Sequence, residues 1–151
     1  MRARTLDASI AAASGRDYGG VIALLKAASL PTEGLARSSM AHFLVARDAS
    51  GNLIGAIGFE RYAHAGLLRS LVVATENRNC TLGTQLVAEL EARCRSLALS
   101  ELFLLTTTAR GFFVRQGYEV IARESVPMAL RGAAELTRLC PESAVCMTKS
   151  L

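Results

Sequence analysis

Leu67-Leu68-Arg69-Ser70-Leu71-Val72-Val73 is an apolar, β-branched run that breaks at Ala74-Thr75-Glu76-Asn77. The chain then passes through Arg78-Asn79-Cys80-Thr81-Leu82-Gly83 straight into an amphipathic pattern. A strand that ends in a turn-prone loop and re-enters as a helix presents backbone N–H groups at the helix N-terminus. A phosphate can sit there, and a glycine lets the backbone approach it closely. Two charged residues stand nearby. Glu60 closes the preceding strand pattern, either as a solvated strand end or as a general base acting through a water. Arg69 lies inside the run, either as an exposed face residue or as a bidentate holder of a substrate anion.

The elements that must position these residues follow from periodicity. A strand is expected over 8–13, then a helix carrying Val21, Ile22, Leu24, Leu25 and Ala28, with Asp17 as its N-cap. It should stop near Leu30-Pro31, because the residue before proline avoids helical dihedrals. His42–Arg47 and Leu53–Tyr62 read as a hairpin about the turn 48–52. Gly55 and Gly58 inside its second strand suggest a bulge or a close backbone approach. A strand over 66–73 leads into the loop. In the helix that follows, Leu82, Leu86, Leu90 and Cys94 recur every fourth residue, while Glu89–Arg93 and Glu91–Arg95 are spaced to pair. A buried strand over 102–105, a helix over 108–116 ending at Gly117, and strands over 119–123 and 144–149 complete the pattern, with 133–139 helical between the last two. Thr108 is placed to cap the helix at 108–116. The order β-α-β-β-β-α-β-α-β-β gives a mixed α/β domain around one central sheet, expected to be a single domain over 1–151.

Composition bounds the function. The chain has 151 residues, 51% of them hydrophobic and 20% charged, which suits a packed globule. Only Lys26 and Lys149 among the 17 cations are lysines. The arginines are scattered singly, so nucleic-acid binding has little support, and the net charge of +4 equally suits an anionic small ligand. No apolar run approaches the length of a membrane span, and no signal peptide follows Met1-Arg2-Ala3-Arg4, so a cytoplasmic protein without membrane attachment is expected. Cys80, Cys94, Cys140 and Cys146 show no metal spacing, and His42 and His64 stand alone, so no metal site is expected.

The loop resembles that of GNAT-type N-acetyltransferases, whose pattern is Leu-x-Val, a short link, then Arg/Gln-x-x-Gly-x-Gly/Ala. Leu71, Val73, Arg78 and Gly83 keep that spacing, and Thr81 stands where the middle glycine belongs. Phe112-Phe113-Val114-Arg115-Gln116-Gly117-Tyr118 extends the likeness over nearly the whole chain. Four blocks, 30–35, 67–73, 104–109 and 139–144, resemble the arsenic-resistance N-acetyltransferases more closely.

The resemblance implies the GNAT fold, a mixed sheet flanked by helices. It implies acetyl-coenzyme A as co-substrate, the amine of a small molecule as acceptor, and, by analogy of fold alone, a homodimer. Backbone groups of Leu71, Val72 and Val73 would pair with pantetheine like an added strand, with the Val72 N–H polarising the thioester carbonyl. Arg78, Asn79, Cys80, Thr81, Leu82, Gly83 and Thr84 would wrap the pyrophosphate. Thr106 stands where relatives often carry an asparagine bonded to pantetheine, and Phe113 where many carry an acidic tyrosine. Ser70 replaces a glutamate common just before Leu-x-Val, which leaves Glu60 as the base and Arg69 as a contact for an acceptor carboxylate or arsenic oxyanion. The acceptor implied is an arsenic-containing or related amino-acid toxin. Two other readings stay open: a coenzyme A or metabolite-binding module without turnover, and a soft-metal carrier using Cys140 and Cys146.

Overall fold

A computed structural model describes residues 8–78, 81–131 and 144–151. Asn79, Cys80, Cys140 and the helix expected over 133–139 lie outside the described residues.

The strands are β1 (Ser9–Ala12), β2 (Phe43–Arg47), β3 (Leu53–Tyr62), β4 (Ala65–Val73), β5 (Glu101–Thr106), β6 (Glu119–Ile121) and β7 (Val145–Ser150). The helices are α1 (Tyr18–Ala27), α2 (Leu82–Ser96), α3 (Arg110–Arg115) and α4 (Met128–Arg131). The strands form one mixed sheet in the order β1-β2-β3-β4-β5-β7-β6. β4 and β5 pair in parallel, whereas β1–β2, β2–β3, β5–β7 and β6–β7 are antiparallel. The chain divides into two compact units, Met1–Phe59 with Ser70–Ala92 and Glu60–Arg69 with Arg93–Leu151.

The core of the first unit gathers Val21, Leu25, Met40, Phe43, Val45, Ala56 and Val72. The expected hairpin forms, and Asp48 holds its turn by accepting from the N–H groups of Ser50 and Asn52. Gly58 lies opposite Phe43, whose ring covers it so closely that a Cβ there would stand 2.3 Å from a ring carbon. Gly55 faces the Val72 carbonyl, 3.2 Å from where its Cβ would be. These are the close approaches that the two glycines announced. On α2 the four-residue repeat is buried as expected, with Leu82, Leu86, Leu90 and Cys94 all nearly inaccessible. Glu91 is buried as well.

Asp17 does not cap α1. It has helical dihedrals and makes no side-chain cap bond, because a short 3-10 turn over Gly15–Asp17 already feeds the helix. Its carboxylate turns back instead, accepting from the Ser14 N–H at 2.8 Å and from the Arg47 guanidinium. Burial pushes this carboxyl up, but the Ser14 and Arg47 bonds outweigh burial and hold it below the usual carboxylate value. A depressed folded value contributes stability that is present above about pH 4, the unfolded value, and is lost as pH falls through the folded one. Asp17→Ala is therefore expected to cost about 2 kcal/mol at pH 7. Urea unfolding from pH 7 down to pH 3 should show the gap between variant and parent closing at the acid end, and a pH-independent gap would contradict this linkage.

The second unit packs Leu67, Phe103, Val126, Leu130 and Cys146 together. α3 is shorter than the helix expected over 108–116, starting at Arg110. Thr108 does not cap it; Thr106 Oγ1 accepts from the Ala109 N–H at 2.9 Å, one turn earlier. Gly117, at φ 95, ends α3 as expected. The Tyr118 N–H reaches the Phe113 carbonyl and the Gly117 N–H the Val114 carbonyl, which satisfies the last turn. Lys149 Nζ donates to the Gln116 carbonyl at 2.8 Å, placing a cation at the negative end of the helix. The four-residue α4 carries no periodic signal long enough to be read from sequence.

Candidate active site

In the first unit the site is the end of β4 and the start of α2. The ladder between β4 and β5 spans only Ala65–Leu67 against Glu101–Phe103, so Leu71, Val72 and Val73 lie beyond it. Ser70 has φ 62, a left-handed conformation inside a strand, and it re-aims every residue that follows. Val72 packs its side chain into the core, which leaves its backbone as its chemical asset. The Ala74 N–H bonds to the Ile54 carbonyl at 2.8 Å and fixes the strand end against β3.

Arg78 is exposed, and its Nε donates to the Val73 carbonyl at 3.0 Å, tying the loop back to the strand it leaves. The Thr81 carbonyl accepts the Gln85 N–H at 3.0 Å, the first bond of α2. Thr81 is exposed. Gly83 sits in the first turn of α2 and adds no side chain to it. Leu82 points into the core, and Thr84 is exposed. Arg78 is thus held at the end of β4, and Gly83 leaves the first turn of α2 without a Cβ, which lets a phosphate approach the backbone closely.

In the second unit Glu60, Tyr62 and Arg69 meet. Arg69 Nη1 donates to Glu60 Oε2 at 2.7 Å, and Tyr62 Oη donates to Oε1 at 2.6 Å. The Arg69 side chain is 1% exposed and that of Glu60 30%. The exposed-face alternative for Arg69 does not hold, since its guanidinium is buried against a carboxylate of its own unit. Sequence reasoning missed Tyr62. Its only signal is the spacing Glu60-x-Tyr62, which places both side chains on one face of β3.

Thr106 accepts from Ala109 and, as a hydroxyl, keeps its proton to donate. Phe113 is buried, with its ring edge-to-face on Tyr118 at 5.5 Å. Tyr118 is buried as well, beneath the Lys149 ammonium. Burial among apolar side chains pushes the Cys146 thiol up, against the pull of Arg123, so it is a poor source of the thiolate a soft metal requires.

A family model described as an acetyltransferase (GNAT) domain matches residues 39–120, more than half of the chain and all of the loop. The chain belongs to the GNAT acetyltransferase family. It is 37% identical over 89 residues to an uncharacterized N-acetyltransferase, CT2212, of Chlorobaculum tepidum, covering 58% of this chain and 56% of that protein. The chain therefore spans only a little over half the length of this curated relative. Among solved structures it is similar to N-acetylglutamate synthase from Neisseria gonorrhoeae, complexed with coenzyme A and N-acetyl-glutamate. The TM-score is 0.83 at 19% identity, over 98% of this chain and 36% of that one. It is likewise similar to Rv2747 from Mycobacterium tuberculosis in complex with CoA and NLQ, with TM-score 0.81, 20% identity and 95% and 99% coverage. These likenesses establish the GNAT fold with its mixed sheet flanked by helices. Among the described residues, no helix is long and apolar enough to cross a membrane.

Proposed function

We propose that the protein transfers acetyl from acetyl-coenzyme A to the amine of a small molecule. The observation that carries this is the match of residues 39–120 to the GNAT acetyltransferase domain, with Arg78 tied to the end of β4 and Gly83 in the first turn of α2. Acetyl-coenzyme A supplies the acetyl group and departs as the thiol. Backbone groups of Leu71, Val72 and Val73 bond its pantetheine arm in the manner of an added strand. Arg78 through Thr84 hold the pyrophosphate, with Arg78 already oriented by its bond to Val73. The Thr106 hydroxyl is a second polar contact for the arm, and Phe113 an apolar one.

In the chemistry, the acceptor must be neutral at nitrogen, and Glu60 takes its proton directly or through a water. The new C–N bond forms as the Val72 N–H donates to the carbonyl oxygen, which gains charge. The C–S bond then breaks, and the sulfur takes up a proton. Phe113 cannot supply that proton, and the departing thiolate needs little help. Arg69 bears on the acceptor through Glu60. The resemblance of four blocks to arsenic-resistance N-acetyltransferases makes an arsenic-containing or related amino-acid toxin the first candidate, with glutamate beside it because the synthase structure holds N-acetyl-glutamate.

A second reading, a coenzyme A-binding module without turnover, is favoured by Glu60 having both oxygens engaged and by Phe113 being buried. Thiol release from acetyl-coenzyme A, followed with arsenic-containing amino acids, glutamate, glutamine, arginine and spermidine, separates the two. Release that depends on one amine supports transfer. Binding of acetyl-coenzyme A with no release for any amine supports the binding module.

A further inference from the structure

Glu60 and Tyr62 leave the same face of β3, and Arg69 reaches them from β4. The phenol at 2.6 Å and the guanidinium at 2.7 Å engage different oxygens of one carboxylate. Each oxygen keeps a second lone pair. One side of the carboxylate is thus closed by a buried arginine, while the group itself stays 30% exposed. An ion pair alone would leave Oε1 to rotate or to bond water. The tyrosine removes that freedom.

We propose that Tyr62 is a positioning residue: with Arg69 it clamps the Glu60 carboxylate from both oxygens, aiming the remaining lone pairs at the acceptor's ammonium group or at the water that carries its proton. The inference rests on the reading of Glu60 as base. The proton passes from nitrogen to Glu60 and on to solvent, and Tyr62 keeps its own proton throughout.

The test uses Tyr62→Phe, Glu60→Gln and the double variant, each in the full chain. With glutamate Cδ labelled by carbon-13, the resonance missing from Glu60→Gln identifies Glu60. In Tyr62→Phe that resonance should move while the other glutamate resonances hold. With the best amine of the panel, kcat should fall roughly tenfold, the loss of one charge-assisted bond, with the KM for acetyl-coenzyme A unchanged. The substitution should cost nothing further in the Glu60→Gln background. An unmoved Glu60 resonance overturns the clamp. A full tenfold loss in the Glu60→Gln background overturns positioning through Glu60. A moved resonance with no thiol release for any amine overturns the Glu60 base and its positioning together, leaving a purely structural clamp.

Discussion

Glu60→Ala is expected to destabilise the protein by about 3 kcal/mol, because it removes the carboxylate to which a buried guanidinium donates. Arg69 has a side chain only 1% exposed, so water cannot replace the lost carboxylate cheaply. Glu60→Gln should cost much less, since its amide oxygen can still accept from Arg69 or Tyr62. Under the proposed mechanism both variants lose the base and should slow transfer by roughly a hundredfold or more. Replacing the pair together, Glu60→Leu with Arg69→Met, should restore most of the stability and none of the rate. Urea unfolding and thiol release, measured on the same samples, separate the two effects. Equal stability of Glu60→Ala and Glu60→Gln would mean that Arg69 does not depend on this carboxylate.

Gly58→Ala should be about as damaging, at about 3 kcal/mol, for a different reason. The new methyl carbon would lie 2.3 to 2.5 Å from three atoms of the Phe43 ring, far inside contact distance. Phe43 is 1% exposed and has no room to turn aside. The second substitution Phe43→Leu should recover part of the loss, which simple strand propensity would not predict. Gly19→Ala is the control. It lies in α1 with nothing within 4 Å of its added carbon, so it should raise stability by up to about 1 kcal/mol. Thermal unfolding of the three variants checks the set, and a mild Gly58→Ala would show that β2 and β3 can separate locally.

The parts of the fold that were legible in the sequence are those where one period dominates. The four-residue repeat from Leu82 to Cys94 became the buried face of α2, and the turn around Asp48 became a hairpin because its carboxylate bonds two N–H groups of the loop. Gly117 was readable as a helix end because a φ of 95 suits no other residue as well. Caps were less legible. Asp17 and Thr108 both had the right residue type, but a 3-10 entry displaced the first and Thr106 superseded the second, differences of one turn that residue type does not encode. The spacing of Leu71, Val73, Arg78 and Gly83 carries the resemblance on which the proposed phosphate loop rests, because backbone geometry needs particular residues at fixed spacing. The clamp was not, because a bond between β3 and β4 depends on strand register. Ser70 hid the most: nothing in its residue type announces a left-handed bend between Arg69, which turns to Glu60, and Leu71, which begins the segment proposed to meet the cofactor.

The most direct test of the central claim is a calorimetric titration of the purified protein with acetyl-coenzyme A, repeated with coenzyme A and with Arg78→Ala. Saturable binding of both ligands, weakened roughly tenfold or more by Arg78→Ala, is the predicted result. No binding at millimolar ligand would contradict it and would mean that the α2 N-terminus, with Thr81 in place of glycine, does not admit a pyrophosphate.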